Sequence, residues 1–88
     1  MSKQTQWIQS AMQVLLFGAA AERAGAAALH VPPCESVASL RRRLIEVCPD
    51  LAAIAGSLLV AVNHRYARDD EPIAATDEVA VFPPVSGG

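Results

Sequence analysis

The stretch DEVAVFPPVSGG, residues 77–88, changes character halfway along. Val79 to Phe82 is a short apolar run that reads as a sheet strand, led in by Asp77 and Glu78, and Pro83 and Pro84 stop it. Neither proline has a backbone N–H to give to a ladder, and each holds φ near about −65°, so the chain beyond is biased toward an extended path that leaves the domain. Gly87 and Gly88 carry no side-chain bulk, so a narrow channel could close around the backbone and meet its carboxylate. Composition alone explains this poorly, since a terminal Gly-Gly arises in roughly 0.5% of chains and a Pro-Pro at a chosen place in roughly 0.3%. Five or six extended residues at about 3.3 Å each reach roughly 16 to 20 Å, enough to enter a deep pocket on a partner.

Upstream of this tail the hydrophobic pattern reads as a small domain. MQVLLF, Met12 to Phe17, is short, apolar and ended by Gly18, which suits a buried strand. Ala19 to Ala24 suggests one or two helical turns closed by Gly25, and Ala27 to Val31 returns as a second strand stopped by Pro32 and Pro33. Ser36 stands where its hydroxyl can cap a helix. Val37, Leu40, Leu44 and Val47 then recur at three and four residues, drawing one apolar stripe that Pro49 ends. Asp50 to Ser57 suits another short helical turn, Leu58 to Asn63 a third strand, and the polar run HRYARDDE one more short strand around Tyr66. The order predicts an α+β domain with one main helix packed across a mixed sheet of four to five strands. Residues 1–11, mostly polar and without a hydrophobic period, read as a flexible extension, 12–82 as the domain and 83–88 as the tail.

Bulk properties narrow the function by exclusion. The 88 residues leave room for one core, and 52% hydrophobic content against 18% charge is too apolar for a disordered chain. A formal net charge of −2 supplies no broad positive field for nucleic acid or an anionic membrane. Arg41 to Arg43 is the one basic run, and its simplest reading is a solvated helix face. No stretch reaches the 18 or so apolar residues that a membrane span requires, and the apolar segment from Ala11 to Ala21 is interrupted by Gln13 and poorly flanked for a signal peptide. Cys34 and Cys48 have no metal-like spacing, and Cys48 falls in register with the helix's apolar face as a small buried hydrophobe. His30 and His64 stand alone, so no metal site is expected.

The segments VLLFG with the following AERAG, SVASLRRRL, LLVAVN and above all DEVAVFPPVSGG make residues 12–88 resemble the ubiquitin-like sulfur carriers, and among them the small subunits of molybdopterin synthase. Thiamin-pathway and cysteine-pathway carriers share the terminal Gly-Gly but usually lack the Phe-Pro-Pro-Val before it. Thr76 departs from the family, which often has glycine ahead of Asp-Glu-Val, and this puts the turn type there in question. The resemblance implies a β-grasp fold and assigns the reactive group to the Gly88 carboxylate, with Phe82, Pro83, Pro84, Val85, Ser86 and Gly87 engaging the partner. It also implies three partners: an adenylating enzyme that spends ATP on Gly88, a sulfur donor that converts it to a thiocarboxylate, and the large synthase subunit. Within a heterotetramer that subunit would supply the catalytic residues and receive the sulfur for cyclic pyranopterin monophosphate. No permanently bound cofactor is implied, and the cytoplasm is the expected compartment. Two other readings stand beside it: a carrier for thiamin, cysteine or tRNA thiolation, and a ubiquitin-like protein modifier.

Overall fold

The computed structural model describes residues 11–84, so Val85, Ser86, Gly87 and Gly88 of the expected site lie outside the described residues, as do residues 1–10 of the expected extension. Strand β1, Met12–Leu16, turns Met12, Val14 and Leu16 inward and is followed by helix α1, Ala19–Ala24. Gly25 ends α1 in the left-handed region at φ 68°, its N–H donating to the Ala21 carbonyl at 2.9 Å. Strand β2, Ala28–Val31, runs back along β1 with Val14 opposite Leu29.

The main helix α2, Val37–Val47, starts on a reciprocal cap. The Ser39 N–H donates to Ser36 Oγ at 3.2 Å, and the Ser36 N–H donates to Ser39 Oγ at 3.0 Å, which satisfies two otherwise orphaned donors. The apolar stripe is real for Val37, Leu40 and Leu44, each buried, but Val47 at the last turn is exposed. The helix stops there ahead of Pro49, and fully buried Leu51 on a single 3-10 turn, Pro49–Leu51, continues the core. Cys48, the helix C-cap, is half-buried against that core. A second 3-10 turn, Ala55–Ser57, leads to β3, Leu59–Val62, where a single turn had been expected.

Arg41 is not part of a solvated face. Its side chain is mostly buried and donates from Nη1 to the carbonyls of Ala55 and Leu58, at 2.7 and 2.6 Å, and from Nε to Asp69 at 2.9 Å. The Ala55 carbonyl, in the second 3-10 turn, accepts only a long 3.4 Å bond from the Leu58 N–H, and Leu58 lies between that turn and β3, so the guanidinium supplies a short charged donor to both carbonyls. Arg43, by contrast, forms only an exposed pair with Glu46.

Strands β4, Arg65–Ala67, and β5, Val79–Phe82, complete a five-stranded sheet ordered β2-β1-β5-β3-β4. β5 lies parallel to β1 and antiparallel to β3, the one parallel pairing in an otherwise antiparallel sheet. The sheet's inner residues, including Val60, Val79 and Val81, close on Leu40 and Leu44 of α2, so a mixed sheet grips one helix. Among the described residues no helix is long and apolar enough to cross a membrane.

Candidate tail base and docking face

The candidate site begins where the middle strand runs out. β5 is held on both sides, by β1 and β3, and Leu59 stands opposite Phe82 at its end. Alternation places Val79 and Val81 in the core and turns Ala80 and Phe82 to the other face. The registers align Leu15, Ala80, Ala61 and Tyr66 across that outer face, an apolar row that no helix covers among the described residues.

Ala61 is small, and the larger rings of Tyr66 and Phe82 meet beside it with centroids 5.7 Å apart and planes tilted by 50°. With His64 they line one shallow depression. Tyr66 is 67% exposed and Phe17, just beyond β1, is 52% exposed. The Phe17 N–H donates to the Val81 carbonyl at 3.1 Å, which fixes it level with the end of β5. Phe82 thus leads directly into the tail with Tyr66 against its ring, and Phe17 precedes the Gly18 on which Pro83 rests. Phe82 is legible from the sequence, whereas the sequence places Tyr66 only in a short strand and Phe17 at the end of a buried one. The signal for Phe17 was the inward alternation of Met12, Val14 and Leu16, which puts position 17 outside.

Gly18 fixes how the tail leaves. It sits at φ 58° and ψ −134°, a conformation open to glycine, and a Cβ there would lie 3.1 and 3.2 Å from Pro83 Cγ and Cδ. The Pro83 ring therefore rests on bare backbone, half-buried, and Pro84 beyond it is exposed. Phe82, Pro83 and Pro84 are brought together at this end of the sheet.

The other end of β5 is tied to the β3–β4 turn. Asn63 and His64 form a two-residue hairpin with φ of 53° and 68°, between paired Val62 and Arg65. The Asn63 N–H donates to the Glu78 carbonyl at 2.7 Å, its Nδ2 donates to Asp77 Oδ1 at 3.0 Å, and its Oδ1 accepts from the Glu78 N–H at 2.9 Å. Asp77 Oδ2 also accepts from the Ala74 N–H at 2.8 Å. That backbone donor, and then the Asn63 amide, hold the Asp77 carboxyl below the usual carboxylate range. Thr76 has no positive φ, so the turn closed by Asp77 does not require the glycine that the family often carries.

The cysteines offer no competing chemistry. Cys34 is buried, its Sγ donates to the Pro32 carbonyl at 3.2 Å, and burial pushes its thiol up from the usual value. No group of three metal-binding side chains occurs among the described residues.

A mixed five-stranded sheet closed around one helix, with a proline-marked tail leaving its middle strand, defines a ubiquitin-like β-grasp protein. The chain belongs to the ThiS family, which it matches over residues 14–88. It is 36% identical over 80 residues to the molybdopterin synthase sulfur carrier subunit of Escherichia coli, covering 88% of this chain and 99% of that one. Among solved structures, small archaeal modifier protein SAMP1 of Haloferax volcanii superposes with TM-score 0.77 at 32% identity, over 89% of this chain and 99% of that one. The putative molybdopterin converting factor subunit 1 of Pyrococcus furiosus follows with TM-score 0.73 at 25% identity, over 85% and 98%.

Proposed function

We propose that this chain is a sulfur carrier in molybdenum cofactor biosynthesis and that its reactive group is the Gly88 carboxylate. A carboxylate is a poor electrophile. An adenylating partner corrects this by joining it to AMP from ATP, with release of pyrophosphate. The terminal sulfur of a persulfide donor then attacks the acyl carbon and displaces AMP, and a second thiolate, from the donor or a thiol reductant, attacks the donor-side sulfur of the resulting acyl disulfide, releasing the thiocarboxylate and leaving a disulfide on the donor. The ionised sulfur is the nucleophile delivered to cyclic pyranopterin monophosphate in the large synthase subunit. The chain supplies no general acid or base. Its contribution is to hold the tail and to dock.

The observation that carries this reading is the base of the tail. A strand held on both sides ends in Pro83 against Gly18, beside Phe17, Tyr66 and Phe82, so a partner that grips the aromatics receives the tail at a fixed angle. The E. coli relative, named as a subunit of molybdopterin synthase, supports the same partner here. The test is coexpression with the adenylating enzyme and sulfur donor, followed by intact mass. Replacement of one oxygen by sulfur at residue 88 is expected, and an unchanged mass with active enzymes rules the reading out. The likeness to a small archaeal modifier protein favours a second reading, attachment of the Gly88 carboxylate to amines of other proteins, which would appear as covalent adducts in extract.

A further inference from the structure

Where residues 11–84 could carry lysine or arginine they carry arginine throughout: Arg23, Arg41, Arg42, Arg43, Arg65 and Arg68, with Lys3 the one lysine in the sequence. This bears on what an activated Gly88 can react with, and the inference rests on the reading that Gly88 is adenylated. An acyl-adenylate is attacked by amines as well as by sulfur: the nitrogen forms a C–N bond to the acyl carbon, the C–O bond to AMP breaks, and AMP leaves with the amine's proton transferred to solvent. A lysine on a neighbouring carrier would therefore divert the tail into carrier-to-carrier conjugates. Arginine keeps the positive charge without a nucleophilic lone pair, because its guanidinium stays protonated throughout the ordinary pH range.

The domain uses this charge structurally. Arg41 satisfies two backbone carbonyls, Arg43 pairs with Glu46, Arg65 with Glu71 and Arg68 with Asp70. The thiols are withdrawn as well, Cys34 buried with its Sγ on the Pro32 carbonyl and Cys48 half-buried against the core. We propose that residues 11–84 offer no amine acceptor to the activated terminus of a second copy, so that the tail is reserved for the sulfur donor and any amine adduct this chain forms cannot be extended through its domain.

The test uses the full chain carrying Lys3→Arg, incubated with the adenylating enzyme and ATP but no sulfur donor. Pyrophosphate release reports activation, and intact mass with peptide mapping reports conjugates. Expected are pyrophosphate without any two-copy conjugate on residues 11–84, and a conjugate mapped to position 68 when Arg68→Lys, 84% exposed, is added. Arg65→Lys, 74% exposed, supplies an independent second position. A two-copy conjugate on residues 11–84 of Lys3→Arg alone would overturn the inference. So would the absence of conjugate from both lysine variants despite pyrophosphate release, since something other than the missing amine would then protect the domain. Absence of pyrophosphate from every variant refutes adenylation itself, and the inference falls with it.

Discussion

His64 occupies the left-handed region at φ 68° as the second residue of a hairpin whose two turn positions both require positive φ. Asn63 tolerates that region and is further held by Asp77 and Glu78, whereas His64 has only an exposed contact with Glu78 at 3.4 Å, which is worth little. His64→Gly should therefore raise stability by about 0.5 to 1 kcal/mol, read as a higher urea midpoint with unchanged slope. Asp77 makes a pH-dependent contribution of determinable sign. Its carboxyl is held below its ordinary value in the folded chain, so its stabilisation is complete above the unfolded pKa, about pH 4, and is lost as pH falls through the folded one. Glu71, lowered first by the Arg68 N–H and then by Arg65, adds loss of the same sign. Urea midpoints measured from pH 6 downward, values chosen to bracket the carboxylate range, should fall more gently for Asp77→Asn than for the parent. Equal slopes would show that the Ala74 and Asn63 bonds carry no net weight. Ser36 was legible as a cap because its partners lie within one turn, but the hold on Asp77 was not, because Asn63 lies in another loop.

At the scale of elements the same division recurs. The strands and α2 follow from local periodicity, so their bounds were within a residue or so of the sequence reading. The role of Arg41 was hidden because Ala55, Leu58 and Asp69 stand 14, 17 and 28 residues away. That role can be tested by contrast within one basic run. Arg41→Met keeps the aliphatic stem but removes the short donor from two carbonyls, leaving Ala55 only its 3.4 Å bond from the Leu58 N–H, at an expected cost of about 1 to 3 kcal/mol in urea unfolding. Arg43→Met, removing an exposed pair, should cost under about 0.5 kcal/mol. Similar losses at both positions would return Arg41 to the surface role that its sequence context suggested.

For the whole molecule, sheet order decides what the tail can do. A free edge strand would let its end fray, whereas β5 sits between β1 and β3 and presents Phe82 and Pro83 on a fixed base. The aromatic face there should carry much of the affinity for a large-subunit partner. Phe82→Ala and Tyr66→Ala are each expected to cost on the order of 2 kcal/mol of binding by titration calorimetry. Tyr66, mostly exposed, should cost little in thermal stability, so it separates docking from folding. Undiminished affinity in both variants would remove the face from the interface. That face was only half legible in the sequence, since Phe82 borders the tail but Tyr66 reaches it through strand pairing by way of Ala61.

The proposed chemistry depends on a main-chain carboxylate, and this makes chain length at residue 88 a mechanistic variable. The base at Gly18 and Pro83 is fixed, so reach is set by the number of residues beyond it. One alanine added after Gly88 moves the carboxylate about 3.5 Å along any channel that fits the parent, far more than in-line attack on a phosphate tolerates. Removal of Gly88 shortens the reach by the same amount. Gly87→Leu keeps the length but adds bulk where two glycines leave none, so it should fail by exclusion rather than by misplacement. The core of the described domain is built from residues 12–81, so circular dichroism should report an unchanged fold for all three. Each variant is to be presented with the adenylating enzyme, ATP and sulfur donor, with pyrophosphate release and intact mass as readouts. Folded protein without sulfur is the expected result for all three. A chain lacking Gly88 that still gained sulfur at its terminus would show that reach is not set by the Pro83 base, and the carboxylate would have to find its partner some other way.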